Sequence, residues 1–284
     1  MTTILSIQSQ VAYGHVGNSA AVFPLQRLGV AVWPVPTVNF SNHTGYGEWR
    51  GRLIRAHDVA EVIEGVRERG AFPEVDAVLS GYQGGPDIGT VIVDTVRRVK
   101  EANPAAIYAC DPVMGNARSG CFVQPGIPEL LRDTVVPVAD LIFPNQFELG
   151  LLTGTNPRTI EETLTSVELV RRTGPAMALV TSVEEPSAPD DVVAMMACLP
   201  DGAWAVRTPR LPMTFNGSGD LTAALFTAHW LRTHDAAAAL ARTASSVYDI
   251  LAATAASGRR ELQLVASQEW IAAPRMQFEV HRVA

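Results

Sequence analysis

Asn216-Gly217-Ser218-Gly219-Asp220 stands directly before the apolar run Leu221 to Phe226. Two glycines let a backbone approach a ligand closely. The first N–H groups of a helix starting here have no partner within that helix, so they form an anion hole. Asp220 in the first turn would sit beside a transferring phosphoryl group, where it could take the proton of an attacking hydroxyl. A plainer reading stays open: Asp220 complements the helix dipole, and Gly217 and Gly219 only make a turn.

Three further strings could serve the same chemistry. In Asp111-Pro112-Val113-Met114-Gly115 a carboxylate ends a β-prone stretch. That suits a magnesium or phosphate–water network, or equally an Asx turn closed by Pro112. In Pro144-Asn145-Gln146-Phe147-Glu148, Asn145 and Glu148 are three apart and share one helix face, so they could hold hydrated Mg²⁺ jointly. The same spacing fits a capping box, and the two roles are compatible. Ser41 to Gly47 is polar, aromatic and bounded by glycine, either a ligand loop or a surface turn. Gly14 to Ser19 opens a helix but lacks the GxGxxG spacing of a dinucleotide site.

Composition narrows the options. The chain has 284 residues, 47% of them apolar, with a formal net charge of −7. The isoelectric point is about 5.4. An acidic chain without basic blocks argues against nucleic acid as a partner. Lys100 is the single lysine, and no GxxxxGK[ST] string occurs, so a Walker-type phosphate loop is excluded. No uncharged apolar run of about 18 residues is present, so no membrane span is expected. Met1 to Gln8 has no basic n-region, so no signal peptide is expected. Cys110, Cys121 and Cys198 are too scattered for a disulfide framework, which favours a reducing, cytoplasmic setting.

Elements must position these strings. Strands are expected at Thr3 to Ile7, Val30 to Phe40, Ala77 to Leu79, Ala106 to Cys110, Leu141 to Phe143 and Ala178 to Thr181. Pro34 and Pro36 push the second of these toward a sheet edge. Helical spacing covers Val16 to Leu28, Val59 to Arg69, Ile88 to Ala102, Glu161 to Thr173, Gly219 to Arg232 and Ala236 to Ala256. Val192 to Cys198 and Ala203 to Val206 read as a hairpin across Pro200-Asp201-Gly202. Such alternation implies an α/β fold, a mostly parallel sheet covered on both faces, in one domain spanning 1–284. Ligands bind beyond the C-terminal ends of such strands, where the polar strings fall.

Together the strings resemble the ribokinase superfamily and, within it, the pyridoxal kinases of vitamin B6 salvage. The matching segments are Ser6 to Ser9 with Gly14 to Ala21, Thr37 to Gly45, Leu79 to Tyr82, Asp111 to Gly115, Pro144 to Glu148, Thr181-Ser182 and Gly217 to Asp220. The Phe40 to Gly45 string belongs to the pyridoxal branch; the GxGD string is shared across the superfamily. The resemblance implies a ribokinase-like three-layer sandwich that uses ATP and Mg²⁺, with room for a monovalent cation, on pyridoxal, and a homodimer. It implies that Ser9 and Thr44 hydrogen-bond the pyridine ring, beside His43 and Gly45, while Val38, Phe40 and Tyr82 wall it. It implies that Asp220 is the base for the 5′-hydroxyl, with Gly217 and Gly219 beside it. Asp111, Asn145 and Glu148 would organise phosphates and metal. Phe143, Thr181, Ser182, Arg210, Leu211, Pro212, Met213 and Ser218 would lie along the nucleotide. Some relatives carry lysine where Ser182 stands, so positive charge must come from elsewhere here.

Cys121, in Ser119 to Val123, is either a thiol near the vitamer's aldehyde, able to form a hemithioacetal, or a small buried hydrophobe. Three other functions compete: a hydroxymethylpyrimidine kinase, which would lack the Phe40 to Gly45 loop; a non-catalytic B6-vitamer binder, against which Asp220 argues; and a dehydrogenase, against which the missing GxGxxG argues.

Overall fold

The computed structural model describes residues 1–185, Pro189 and residues 191–284. Its elements in chain order are β1 (Thr3–Val11), α1 (Asn18–Arg27), β2 (Ala31–Phe40), β3 (Gly51–Leu53), α2 (Ala56–Glu68), β4 (Ala77–Ser80) and α3 (Pro86–Ala102). There follow β5 (Ile107–Cys110), β6 (Gly115–Asn116), β7 (Gly120–Cys121), α4 (Ile127–Leu130), β8 (Leu141–Ile142), α5 (Gln146–Thr153) and α6 (Ile160–Arg171). The chain ends through β9 (Met177–Val183), β10 (Val192–Leu199), β11 (Gly202–Pro209), α7 (Ser218–Thr233), α8 (Ala236–Ala256), α9 (Gln268–Ala272) and β12 (Val280–Arg282).

The strands make a ten-stranded sheet ordered β12-β11-β10-β9-β8-β5-β4-β1-β2-β3. From β9 to β2 every pairing is parallel. The outer strands at both ends are antiparallel. A strand's side chains alternate between faces, so each strand feeds two cores. Leu5, Val78, Tyr108, Ile142 and Val180 point into the layer holding α2 to α6. Ile4, Leu79, Ala109, Leu141 and Leu179 point into the layer holding α1, α7, α8 and α9. That double burial explains why the central strands read as continuous apolar runs rather than alternating ones.

The prolines in β2 find their edge. The Ala31 N–H donates to the Thr2 carbonyl at 2.8 Å, so odd-numbered residues at the start of β2 face β1. Pro34 and Pro36 therefore turn their missing donors outward, and β3 pairs only with Val38, Asn39 and Phe40 beyond them. The hairpin at 199–202 forms as expected. Four short strands were not legible: β3, the β6–β7 pair and the C-terminal β12, which adds to β11 through Trp204 to Val206. The chain therefore does not end its fold at Ala256; α9 and β12 close it.

Candidate active site

The parallel strands end on one side of the sheet. There a cavity of about 1530 Å³ is lined by Ser9, Tyr82, Asp111, Asn145, Thr181 and Asp220, among others. One cavity thus gathers strings up to about 200 residues apart in sequence.

Asp220 lies in the first turn of α7, whose N-cap Gly217 has φ 81°, a left-handed conformation. A Cβ on Gly217 would also lie 1.8 Å from the His15 carbonyl oxygen, so only glycine fits. Gly219 is different: a Cβ there would meet nothing nearer than Asp111 Oδ2, at 3.8 Å. The first α7 N–H groups and the Asp111 carboxylate thus face the same small space. Burial pushes the Asp220 carboxyl above the usual carboxylate range, tempered by hydrogen bonds from the N–H groups of Gly17 and Asp220 itself.

Asp111 is buried and pushed well above the usual range, first by burial and then by the neighbouring Glu148 and Asp220. Glu148 is raised to about 7 by burial, against three backbone donors that pull it down. Its Oε1 accepts from the N–H groups of Met114 and Gly115 at 2.8 and 3.1 Å, and its Oε2 from that of Asn145 at 3.0 Å. Asn145 Oδ1 accepts the Glu148 N–H at 2.9 Å, completing the capping box of α5. Asn145 also donates to the Gly115 carbonyl at 2.7 Å. The spacing that admitted a cap, a metal pair or both thus forms a cap, which also holds the Asp111 to Gly115 loop, while Glu148 Oε2 and Asn145 Oδ1 each accept only one hydrogen bond among the described residues.

No basic side chain contributes to the shifts of Asp111, Glu148 or Asp220. Three carboxyls so placed, without a counter-charge of their own, fit an arriving divalent cation. They do not form a closed cage, since no three His, Cys, Asp or Glu side chains among the described residues are grouped to hold an ion alone. An open donor set suits Mg²⁺, which keeps waters and takes phosphate oxygens as ligands.

At the other end of the cavity Val11, Val16, Val38 and Phe40 form an apolar cluster with Tyr82 against it. Phe40 also meets the Trp49 ring at 6.1 Å. Val38, Phe40 and Tyr82 are thus brought together as expected. Val11 and Val16 were missed, although Val11 lies two residues beyond Ser9 on the same strand face. Thr44 starts a short turn, 44–46, at the rim. His43 caps that turn: its Nδ1 accepts the Gly45 N–H at 3.0 Å, and burial lowers its pKa, so the ring is neutral with its proton on Nε2. Gly45 supports the turn and does not line the cavity.

Elsewhere in the cavity lining the Thr181 N–H donates to the Pro144 carbonyl at 3.0 Å, and Thr181 forms a β-bridge with Asn145. Ser182 holds a left-handed φ of 52° at the cavity wall. Phe143, Ser218 and the segment Arg210 to Met213 line the same wall. Arg118, which was not anticipated, reaches across the mouth to Thr214 Oγ1 at 3.3 Å. One expectation is corrected. Cys121 is exposed on β7 and does not line the cavity, although Gly115 and Phe122 beside it do. Its exposure sets aside the reading of Cys121 as a small buried hydrophobe.

Residues 74–264 match the family described as phosphomethylpyrimidine kinase. The pyridoxal kinase PdxY of Leifsonia xyli is 68% identical over 280 residues, 99% of each chain. That of Corynebacterium diphtheriae is 62% identical over 281 residues, again 99% of each. Among solved structures, pyridoxal kinase from Leishmania donovani in complex with ADP and pyridoxamine superposes with a TM-score of 0.94 at 25% identity, covering all of both chains. Pyridoxal kinase from Trypanosoma brucei gives 0.88 at 29% identity over 99% of each chain.

Proposed function

The chain belongs to the pyridoxal kinase family, and from that premise we propose how its own residues divide the work. The reaction is the ATP-dependent phosphorylation of the 5′-hydroxyl of pyridoxal. The observation that carries the reading is the single cavity joining an apolar ring site to a helix N-terminus across Asp220.

Val38, Phe40 and Tyr82 hold the pyridine ring, and Ser9 and Thr44 hydrogen-bond its polar atoms. Asp220, its basicity raised by burial, takes the proton of the 5′-hydroxyl as that oxygen attacks the γ-phosphorus. The first N–H groups of α7 stabilise the charge on the transferring group. Glu148 holds Met114, Gly115 and Asn145 in place, which fixes Asp111 beside the phosphate path. Bound at Asp111 with Asn145 and Glu148 behind it, Mg²⁺ would neutralise phosphate charge. Phe143, Thr181, Ser182, Ser218 and the segment Arg210 to Met213 line the nucleotide.

A single domain carries all of this. Action in the cytoplasm is supported by three unpaired cysteines, and a homodimer by the exposed Trp49 and Leu53 at the open sheet edge. Among the described residues no helix is long and apolar enough to cross a membrane. The test is ATP consumption with pyridoxal, pyridoxine, pyridoxamine and hydroxymethylpyrimidine in parallel, with and without divalent metal. Turnover of pyridoxal that requires the metal supports the reading. A preference for hydroxymethylpyrimidine overturns it.

A further inference from the structure

Glu261 follows α8 and has no part in the roles above. Its side chain is buried, yet both carboxylate oxygens are engaged by distant loops. Oε1 accepts the Tyr46 hydroxyl at 2.7 Å, and Oε2 accepts the His15 N–H at 3.0 Å. Tyr46 ends the turn that Thr44 begins. The Arg260 guanidinium stands over the Tyr46 ring, 4.6 Å from its centroid, and Tyr13 meets the same ring edge-on at 6.3 Å. His15 in turn passes its carbonyl against Gly217, the N-cap of the helix that carries Asp220. Gly14 leaves room for the carboxylate: its φ is +95°, and a Cβ there would lie 1.9 Å from Glu261 Oε2. An unbroken path therefore runs from the Thr44 turn through Tyr46, Glu261 and His15 to Gly217.

We propose that Glu261 is a positioning residue, a strap that holds the Thr44 turn in register with the Gly217 to Asp220 turn. The 5′-hydroxyl must meet the base and the phosphoryl group within a few tenths of an ångström, and two separately mobile loops would not hold that alignment. A buried carboxylate suits the task because each oxygen accepts a strong hydrogen bond and neither has to donate. The proposal rests on reading the 43–45 turn as the vitamer loop and Asp220 as the base.

The test is steady-state kinetics of Glu261→Ala, Glu261→Gln, Tyr46→Phe and Glu261→Ala combined with Tyr46→Phe. ADP binding measured on each preparation reports the folded fraction. Glu261→Ala should raise KM for pyridoxal by roughly tenfold or more, the worth of a charge-assisted hydrogen bond, and leave KM for ATP within about twofold. Glu261→Gln should fall between, because its amide can donate to the Tyr46 hydroxyl while its carbonyl accepts from His15. The double variant should be no worse than Glu261→Ala, since Tyr46 then has no partner left to lose. Equal changes in both KM values, or additive effects of the two substitutions, would overturn the strap. Wild type that fails to turn over pyridoxal would remove the functional reading and the strap with it. Wild-type turnover with an unchanged KM in Glu261→Ala would remove the strap alone.

Discussion

At the scale of single residues, the proposed chemistry rests on Asp220. Asp220→Asn keeps the shape of the α7 turn but cannot accept the hydroxyl proton. It should bind pyridoxal nearly as wild type does and lose about 10²- to 10⁴-fold in kcat, the usual worth of a general base. A kcat within a few-fold of wild type would show that the proton leaves by another route. Lys100, the single amine side chain, stands at the end of α3 in an ion pair with Asp140 at 2.6 Å and does not line the cavity. The aldehyde product is therefore not held there as a Schiff base, which needs a free lysine amine. Borohydride reduction of the product complex and peptide mapping should find no adduct on Lys100. That Asp220 and Asp111 would meet in one cavity was legible because one stands at a helix start and the other just past a strand end, with recognisable neighbours. Glu261 was not, because its partners lie 215 and 246 positions away and no local pattern marks a carboxylate that joins two loops.

At the scale of elements, the two glycines before Asp220 have different duties. Gly217 is needed by the fold, since it holds a left-handed φ and presses on the His15 carbonyl. Gly217→Val should destabilise the protein by about 1–3 kcal/mol or more and remove activity with it. Gly219 has space for a side chain in the free protein, so Gly219→Val should melt close to wild type and still lose turnover, because the side chain fills the approach to phosphate. Thermal melts beside activity measurements separate the two; a stable, active Gly219→Val would end the assignment of this turn as the anion hole. The long elements were legible because central strands buried on both faces and amphipathic helices such as α3 leave strong periodic signals. The edge strands β3 and β12 and the β6–β7 pair have two or three residues each, too few for a period; β3 and β12 form on the free hydrogen-bonding groups of longer neighbours, while β6 and β7 pair only with each other among the described residues.

At the scale of the whole molecule, α7 joins the proposed base to the core. Its first turn carries Asp220, and its body from Leu221 to His229 is buried among the sheet, α1 and α8. His229 is only 3% exposed, and its Nε2 has no hydrogen-bond partner among the described residues. Burial first, and then repulsion from Arg242 and Arg232, lowers its pKa to about 4. An unfolded chain protonates this histidine near pH 6.5, whereas the folded chain resists until about pH 4. Its contribution to stability is therefore complete above pH 6.5 and is lost as pH falls toward 4, by roughly 1–3 kcal/mol across that window. His229→Leu removes the titration while keeping an apolar side chain of similar size. Between pH 7 and pH 5 wild type should lose more thermal stability than His229→Leu, and the other titrating groups cancel in that difference. Activity should fall in step with the wild-type loss, because unfastening α7 releases the turn that holds Asp220. Parallel pH profiles for the two proteins would show that His229 is accommodated in its charged form and that acid acts on the fold elsewhere.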